Sequence, residues 1–141
     1  MIMDAFSAEW AHAWCSALNA SSEYRSAATD WEGSVALVMS ADAGAGVPEA
    51  RAVFLDVARG ACHGSRVASA ADLDAAAYVI EAAPDVWREL LAGHSAPLMA
   101  LMTGRLRLTR GSIAALLPFA NAARELVATA SGIPARFPGD A

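Results

Sequence analysis

The stretch that decides the fold is residues 34–67, which reads SVALVMSADAGAGVPEARAVFLDVARGACHGSRV. Apolar side chains recur at every second position within 35–39 and again within 51–58, which predicts two strands that each turn one face to a core. A run rich in Gly and Pro separates these strands, and Gly60 separates the second from a third, more polar run at 61–67. Three strands joined by short turns predict an antiparallel meander whose third strand lies at a sheet edge.

Outside the meander, the chain adds two strands and about five helices. Residues 78–81 predict a fourth strand, and the strict alternation within 105–110 predicts a fifth, with Leu106 and Leu108 turned inward. Apolar spacing, capping residues and an N-terminal proline predict helices at 6–19, 22–30, 84–91, directly after Ser95, and 112–130. This order predicts an α/β domain of the α+β type, with one sheet covered mainly on one face.

Length and charge narrow the functional classes. The 141 residues fit one domain and can bury a core without a disulfide or a metal ion. Ten basic and fifteen acidic residues are interspersed along the chain and give a net charge of −5. Binding to nucleic acid needs a basic face that neutralises phosphates, so we expect no nucleic-acid partner.

The sequence predicts neither a membrane span nor a secretion signal. A spanning helix needs about 18 or more consecutive apolar residues, and the longest apolar run, 113–123, is interrupted by Pro118 and Asn121. The N-terminus lacks the basic region and the long apolar region of a signal peptide. We therefore expect a cytoplasmic protein with no integral membrane segment, and in a reducing cytosol we expect Cys15 and Cys62 to be free, buried thiols.

Metal binding and catalysis find little support. His12 and Cys15 lie three residues apart on one predicted helix, and four nitrogen and sulfur ligands would result if Cys62 and His63 joined them. However, neighbours on a strand point to opposite faces, so Cys62 and His63 do not readily serve one ion. Nothing near either thiol would lower its pKa, and the chain has no G-x-S-x-G motif and no phosphate-binding glycine loop. We predict a protein without catalytic residues, metal or cofactor, and not an enzyme.

The strongest pattern is the apolar C-terminal third of the chain. Its last predicted helix carries an apolar stripe, and the two helices before it add Leu and Met side chains. Met adapts its shape and Ala leaves space, which suits the wall of an adaptable cavity, although filling an ordinary core is the commoner use of such residues. Pro118 removes a backbone donor and would bend the last helix away from the sheet, which suggests a groove.

Two ordered sets of residues carry a family resemblance. The first is Trp10-x3-Trp14-x3-Leu18-Asn19, then Glu23-Tyr24 and Trp31-Glu-Gly33, and the second is residues 97–111, PLMALMTGRLRLTRG, before a final apolar helix. Between them lie Val53-Phe-Leu-Asp-Val57 with Gly60, and Tyr78-Val79-Ile80 before Pro84 and Trp87. In this order, over about residues 6–130, the chain resembles the sterol carrier protein 2 family of lipid-binding domains.

The resemblance implies a stand-alone bacterial member with a five-stranded mixed sheet, about five helices mostly over one face, and an apolar tunnel between them. It implies one lipid-binding domain at 1–131, while Pro134, Pro138 and Gly139 predict a flexible tail at 132–141. The implied function is non-catalytic binding or carriage of an apolar ligand, which would be a lipid, a fatty acid or a fatty-acyl thioester. Carried onto this chain, the ligand-binding residues would be Leu91, Leu98, Met99, Leu101, Met102, Leu106, Leu108, Leu116, Phe119, Ala120 and Val127.

One alternative function stays open from the sequence. The apolar face could belong to a protein–protein interaction module that docks a partner chain, or a second copy in a homodimer, without any small-molecule ligand. An apolar patch left on the surface, with no enclosed void beneath it, would favour this alternative.

Overall fold

A mixed five-stranded sheet forms the centre of the fold. The computed structural model describes residues 2–138, and its strands are β1 (Met3–Asp4), β2 (Val35–Met39), β3 (Arg51–Ala58), β4 (Ala61–Val67), β5 (Tyr78–Ala82), β6 (Arg107–Arg110) and β7 (Ala135–Arg136). Strands β2 to β6 pair in the order β4-β3-β2-β5-β6. The sheet is mixed because β2 and β5 run parallel, whereas the other neighbours run antiparallel. The expected five-stranded mixed sheet is therefore confirmed.

The meander follows the alternation of the sequence. β2, β3 and β4 pair antiparallel in chain order, and β4 lies at the sheet edge, as its polar composition predicts. All five residues of β2 are buried because this strand is paired on both sides and covered on both faces. The fifth predicted strand is shorter than expected, since β6 begins at Arg107, but Leu106 directly before it is buried as predicted.

The helices are α1 (Ala8–Ala20), α2 (Ser22–Ala27), α3 (Ala70–Ala75), α4 (Pro84–Leu91), α5 (Pro97–Met102), α6 (Ile113–Leu116) and α7 (Ala120–Ser131). The side chain of Ser7 caps α1 by accepting a hydrogen bond from the backbone N–H of Trp10 (3.2 Å). Helix α3 was not expected from the sequence. It begins with a capping box in which Ser69 and Asp72 bond each other's backbone N–H groups.

The two faces of the sheet are covered unequally. One face packs against α1, α2, α4, α5 and α7, and the large core lies there, with Trp10, Trp14 and Trp87 buried at its centre. The opposite face carries a small cluster around Val38 and Phe54, against which the α3 side chain of Leu73 packs. The helices thus cover mainly one face, as expected, and the space between them and the sheet is where a ligand cavity can form.

The last helical segment is broken rather than continuous. The sequence predicts one helix over 112–130, whereas α6 ends at Leu116 and a 3-10 turn over Leu117–Phe119 precedes α7. Pro118 lies in this turn, and its ring nitrogen cannot donate the backbone hydrogen bond that a continuous α-helix requires. The expected bend at Pro118 therefore takes the form of a local change of helix type.

The segment expected to be a flexible tail is docked as far as it is described. Residues of β7 pair parallel with β1, and the side chain of Arg136 contacts Asp4 (3.1 Å). Phe137 is only 6% exposed, with the guanidinium carbon of Arg88 4.6 Å from its ring centroid. The structure thus places residues 132–138 against partners that lie far away in the sequence. Residues 139–141 lie outside the described part, and the flexible tail expected at 132–141 stays a prediction.

The two cysteines form a disulfide, contrary to the expectation of free thiols. Cys15 on α1 and Cys62 on β4 form a disulfide, with their Cα atoms 5.4 Å apart, so neither is a free thiol. Beside it, the Asn19 side chain donates to the carbonyl oxygen of Cys62 and accepts from its N–H, both at 2.8 Å. The expectation of free thiols was wrong because 47 residues separate the cysteines, and only the packing of α1 on β4 brings them together.

Candidate functional site

An apolar cavity of about 70 Å³ lies between the larger-core face of the sheet and the helices. Its lining comes from nearly every element of that side of the fold. The lining residues are Tyr24, Trp31, Val35, Leu37, Val57, Tyr78, Ile80, Trp87, Pro97, Leu98, Leu101, Leu106, Leu116, Phe119, Ala122, Ala123, Leu126 and Val127. None of these eighteen side chains, all within the described part of the chain, is charged at neutral pH.

The sheet supplies one wall through its two-residue period. Val35 and Leu37 are two residues apart on β2 and therefore share a face. Their partners on the parallel strand β5 are Tyr78 and Ile80, which point to the same side. Val57 on β3 extends this wall, so the register of three strands fixes an apolar surface.

The helices supply the opposite wall, which we call the helical cover: α5, α6, the 3-10 turn over 117–119, and α7. Leu98 and Leu101 face the cavity from α5 because they are three residues apart, while Leu116 and Phe119 face it from the region of the break. In α7 the cavity-facing positions begin with Ala122 and Ala123 and continue with Leu126 and Val127. The two alanines leave the space that larger residues at the same positions would fill.

Aromatic rings form one end of the cavity. Trp31 lies between Tyr78, at 4.9 Å between ring centroids, and Phe119, at 5.0 Å and edge-on. The indole N–H of Trp31 donates to the carbonyl oxygen of Gly33 (2.9 Å), and that of Trp87 donates to Val38 (3.0 Å). These polar ends are therefore satisfied by backbone, and the rings present apolar surface to the cavity.

Tyr24 differs from the two tryptophans. Its side chain lines the cavity and is 2% exposed, and the structure assigns its hydroxyl no bond to backbone like those of the two indoles. Burial raises the pKa of Tyr24 to about 12, since the charged phenolate would be poorly solvated there. The hydroxyl is therefore neutral at physiological pH.

Six of the eleven residues expected to bind ligand lie at the cavity: Leu98, Leu101, Leu106, Leu116, Phe119 and Val127. The other five lie elsewhere. Met99 and Met102 are 60% and 67% exposed on the outer side of α5, because positions one residue beyond Leu98 and Leu101 are rotated towards solvent. Leu108 packs half-buried against the larger core, Ala120 is half-buried outside the lining, and Leu91 lines a separate shallow groove beside Phe137.

Sequence reasoning missed twelve of the lining residues, including most of the sheet wall. Alternation places Val35, Leu37 and Val57 on one strand face, so the signal for the sheet wall was present in the sequence. Tyr24, Trp31 and Trp87 carry no local signal that separates a cavity-lining aromatic residue from an ordinary packing one. Their position follows only from how α2, α4 and the strands meet.

The titratable side chains in the described lining of the cavity are two tyrosines, Tyr24 and Tyr78. Its lining, within residues 2–138, has no carboxylate, imidazole, thiol or basic side chain. The carboxyl group with a strongly lowered pKa lies outside the cavity. Arg66 contacts Asp72 at 2.6 Å and holds the pKa of that carboxyl well below its usual range. Asp72 also belongs to the capping box of α3, so its role is structural.

No protein-family profile and no curated protein matches the chain. Solved structures do. A crystal structure of sterol carrier protein 2 is 46% identical, superposes with a TM-score of 0.84, and is matched over 92% of this chain and 99% of that one. The chain belongs to the sterol carrier protein 2 family.

Two further solved structures are similar to this member of the sterol carrier protein 2 family. The solution structure of a conserved hypothetical protein from Thermus thermophilus is also 46% identical, with a TM-score of 0.84 over 95% of this chain and 92% of that one. The apo form of sterol carrier protein 2 from Yarrowia lipolytica is 16% identical, with a TM-score of 0.55 over 85% and 88% of the two chains. At that identity the yeast protein supports the fold alone, and the fold is the one that the residue pattern predicted.

Proposed function

We propose that this protein binds and carries an apolar ligand, a lipid, fatty acid or fatty-acyl thioester, in the cavity beneath the helical cover, without catalysing a reaction. The observation that carries the proposal is the lining itself, eighteen side chains that are apolar apart from tyrosine hydroxyls and indole groups already bonded to backbone. Membership of the sterol carrier protein 2 family supports the same conclusion.

Burial of apolar surface supplies enough free energy for such binding. Removing about 300 Å² of ligand surface from water contributes roughly 7–8 kcal/mol before the entropy costs of association. A site that works by burial needs no charged group, which agrees with the uncharged lining.

The cavity must widen to accept a long chain. Its volume of about 70 Å³ is half of the roughly 150 Å³ that holds benzene in an engineered apolar cavity. We assign the widening to the helical cover, because α6 and α7 are separated by the 3-10 turn at Pro118 and no ladder of strand hydrogen bonds fixes them. The side-chain positions proposed for ligand contact are the six expected residues at the cavity together with the sheet wall.

The interaction-module alternative is less well supported. It requires an apolar face without a void beneath it, whereas the apolar stripe of α7 faces a cavity. A homodimer built on the outer side of the helical cover is testable by light scattering.

A cytoplasmic location remains part of the proposal and is opposed by one observation. Disulfides persist mainly in oxidising compartments, and the structure joins Cys15 to Cys62. Cell fractionation followed by thiol titration of the protein under denaturing conditions tests the location. Recovery from the soluble cytoplasmic fraction supports it, and recovery from an extracytoplasmic fraction with no titratable thiol contradicts it.

Native mass spectrometry of the purified protein, followed by organic extraction, tests the ligand proposal directly. We expect additional masses from copurified lipid, or uptake of added fatty acids or acyl thioesters. An apo mass that ignores both classes of ligand would contradict the proposal. Leu101→Glu, which places a charge in the cavity, should abolish uptake, whereas Met99→Glu on the outer side of the same helix should not.

A further inference from the structure

The disulfide between Cys15 and Cys62 lies at the edge of the fold. Cys15 is on α1, and Cys62 is on β4, the strand at one end of the sheet. The two residues are 8% and 5% exposed, whereas the neighbouring Trp14 is completely buried. The bond therefore lies at the border of the larger core and joins a covering helix to the sheet.

A second connection holds the same two elements together. Asn19 lies one helical turn after Cys15 and therefore on the same side of α1. Its side-chain amide donates to the carbonyl oxygen of Cys62 and accepts from the N–H of Cys62, both at 2.8 Å. Neither hydrogen bond depends on the disulfide, so after reduction Asn19 would keep the two thiols within reach of each other. Such a pair can break and form again while the fold persists.

Helix α1 also contacts the wall of the cavity. Trp14, the residue before Cys15, donates a hydrogen bond from its indole N–H to the carbonyl oxygen of Leu126 (2.9 Å). Leu126 and Val127 line the cavity from α7. Helix α1 therefore links the disulfide to one of the helices that cover the cavity.

We propose that the disulfide between Cys15 and Cys62 is a reversible redox switch that sets how firmly α7 is held at the cavity. In the oxidised protein α1 is fixed to β4, and the Trp14 hydrogen bond holds α7 to α1. In the reduced protein α1 keeps only the Asn19 contacts and its packing, so α7 moves more freely and ligand exchanges faster. This inference rests on the proposed function. It also agrees with the proposed cytoplasmic location, where disulfides are usually transient and catalytic or redox-sensing.

The switching step is thiol–disulfide exchange with a dithiol. A thiolate of the dithiol attacks one sulfur of the disulfide, which forms a mixed disulfide and releases the other cysteine as a thiolate that takes up a proton. The second thiol of the dithiol then displaces the remaining cysteine. Two electrons and two protons pass to the protein, and the dithiol leaves as a cyclic disulfide. Glutathione disulfide reverses the reaction and is reduced to two molecules of glutathione.

The first test is whether the folded protein can be reduced. Thiol titration follows the reduction of the wild type by dithiothreitol, and circular dichroism follows its secondary structure. We expect the reduction rate to be nearly unchanged by urea below the unfolding transition, because reduction through global unfolding would accelerate with the full m-value. A reduction rate with the full urea dependence of unfolding, or loss of secondary structure once the bond is reduced, would overturn the inference.

The second test is the effect of reduction on the cavity. Bound N-phenylnaphthylamine is displaced by excess methyl decanoate in a stopped-flow fluorimeter, and its dissociation rate is compared before and after reduction. We expect reduction to raise this rate at least about fivefold, the lower end of typical coupling between two sites. Glutathione disulfide should restore the slow rate, and the variant with both Cys15→Ala and Cys62→Ala should be fast with or without reductant. Equal rates in the oxidised and fully reduced wild type would overturn the inference.

Two tryptophans on α1 provide a matched pair for testing the link to α7. Trp10 lies one turn before Trp14 and is also buried, but its indole N–H has no hydrogen-bond partner within residues 2–138. Trp10→Phe and Trp14→Phe therefore remove the same atoms, and only the second removes a hydrogen bond to α7. We expect Trp14→Phe to release N-phenylnaphthylamine quickly in both redox states, and Trp10→Phe to keep the difference between them. A full redox effect in Trp14→Phe would contradict transmission through α7.

Reoxidation tests the role of Asn19. Because the second step of reoxidation is an attack by one cysteine on the other, it depends on how well the two are positioned. We expect Asn19→Ala to be reoxidised by glutathione disulfide at least about tenfold more slowly than the wild type. An unchanged rate would show that Asn19 does not hold the reduced pair and would contradict the proposed reversibility.

A ligand-free measurement separates this inference from the proposed function. Hydrogen exchange of the α7 amides, measured by mass spectrometry without ligand, should be faster in the reduced protein than in the oxidised one. If neither state binds N-phenylnaphthylamine or methyl decanoate, the proposed function fails, while faster exchange in α7 on reduction still supports the switch. If α7 exchanges equally in both states and the oxidised protein binds the fluorophore, the switch is refuted and the carrier function stands.

Discussion

Replacing Ala122 with leucine should fill the cavity from the α7 side and stabilise the ligand-free protein. Empty apolar volume costs about 24 cal/mol per Å³, so a cavity of about 70 Å³ costs about 1.7 kcal/mol. Fixing the new leucine side chain costs about 0.5–1 kcal/mol of rotamer entropy. The expected net effect of Ala122→Leu is therefore a gain of about 1 kcal/mol in the free energy of unfolding.

Ala130 provides the matched control for this substitution. It lies on the same helix, is buried, and does not line the cavity, so Ala130→Leu has no space to occupy. Overpacking of a filled core costs about 1–3 kcal/mol. The two variants should thus shift stability in opposite directions although their chemistry is the same.

Urea unfolding with an unchanged m-value measures both effects, and displacement of a neutral fluorophore measures the loss of binding. Ala122→Leu should unfold at higher urea concentration and take up less fluorophore, while Ala130→Leu should unfold earlier. If both variants lose the same stability at constant m-value, the space beside Ala122 is not a usable cavity, and the assignment of this site is refuted.

Three other predictions follow from single features. Replacing Cys15 and Cys62 with alanine should cost about 4 kcal/mol of stability in urea unfolding, since their disulfide closes a loop of 47 residues; equal stability of the wild type with and without reductant would contradict this. Stability should fall as the pH rises from 10 to about 12, because the folded state keeps Tyr24 protonated after the unfolded state has released the proton, and Tyr24→Phe should reduce that fall. Trp87→Phe should cost about 0.5–1.5 kcal/mol by removing the indole hydrogen bond to the carbonyl oxygen of Val38, and an unchanged urea midpoint would show that this bond contributes nothing.

The sheet could be predicted from the sequence because its signal is local. Every second residue of β2 and β3 is a large apolar side chain, and no other regular backbone places such residues on one face. The edge position of β4 followed from its polar composition in the same way. The parallel pairing of β2 with β5 is not local and was accessible only through the family resemblance.

The cavity was predictable on its helical side only in part, and α5 shows why. This helix has six residues and five of them are large apolar or proline side chains, so composition alone does not define its inner side. The packing of Ala100 and Leu101 against the core decides that Leu98 faces inward and that Met99 and Met102 face outward. A six-residue helix contains fewer than two turns, too few for a period to reveal its orientation.

The disulfide and the docked C-terminal segment could not be predicted because their partners are distant in sequence. No residue near Cys15 or Cys62 in the sequence indicates that the two cysteines form a disulfide. Phe137 lies between prolines, which suggest an irregular tail. Both features appear only once α1 lies on β4 and β7 lies beside β1.

The two walls of the cavity are held to the rest of the fold unequally. The sheet wall is held by its ladders, α1 is tied to β4 by the disulfide, and α7 is tied to α1 where the Trp14 indole donates to the carbonyl oxygen of Leu126 (2.9 Å). By contrast, α5 and α6 are short, are separated from β6 by Gly104 and Gly111 in left-handed conformations, and present exposed apolar side chains outward. Under the proposed carrier function, widening of the cavity would proceed by displacement of α5 and α6 about the break at Pro118, with the C-terminal part of α7 staying in place.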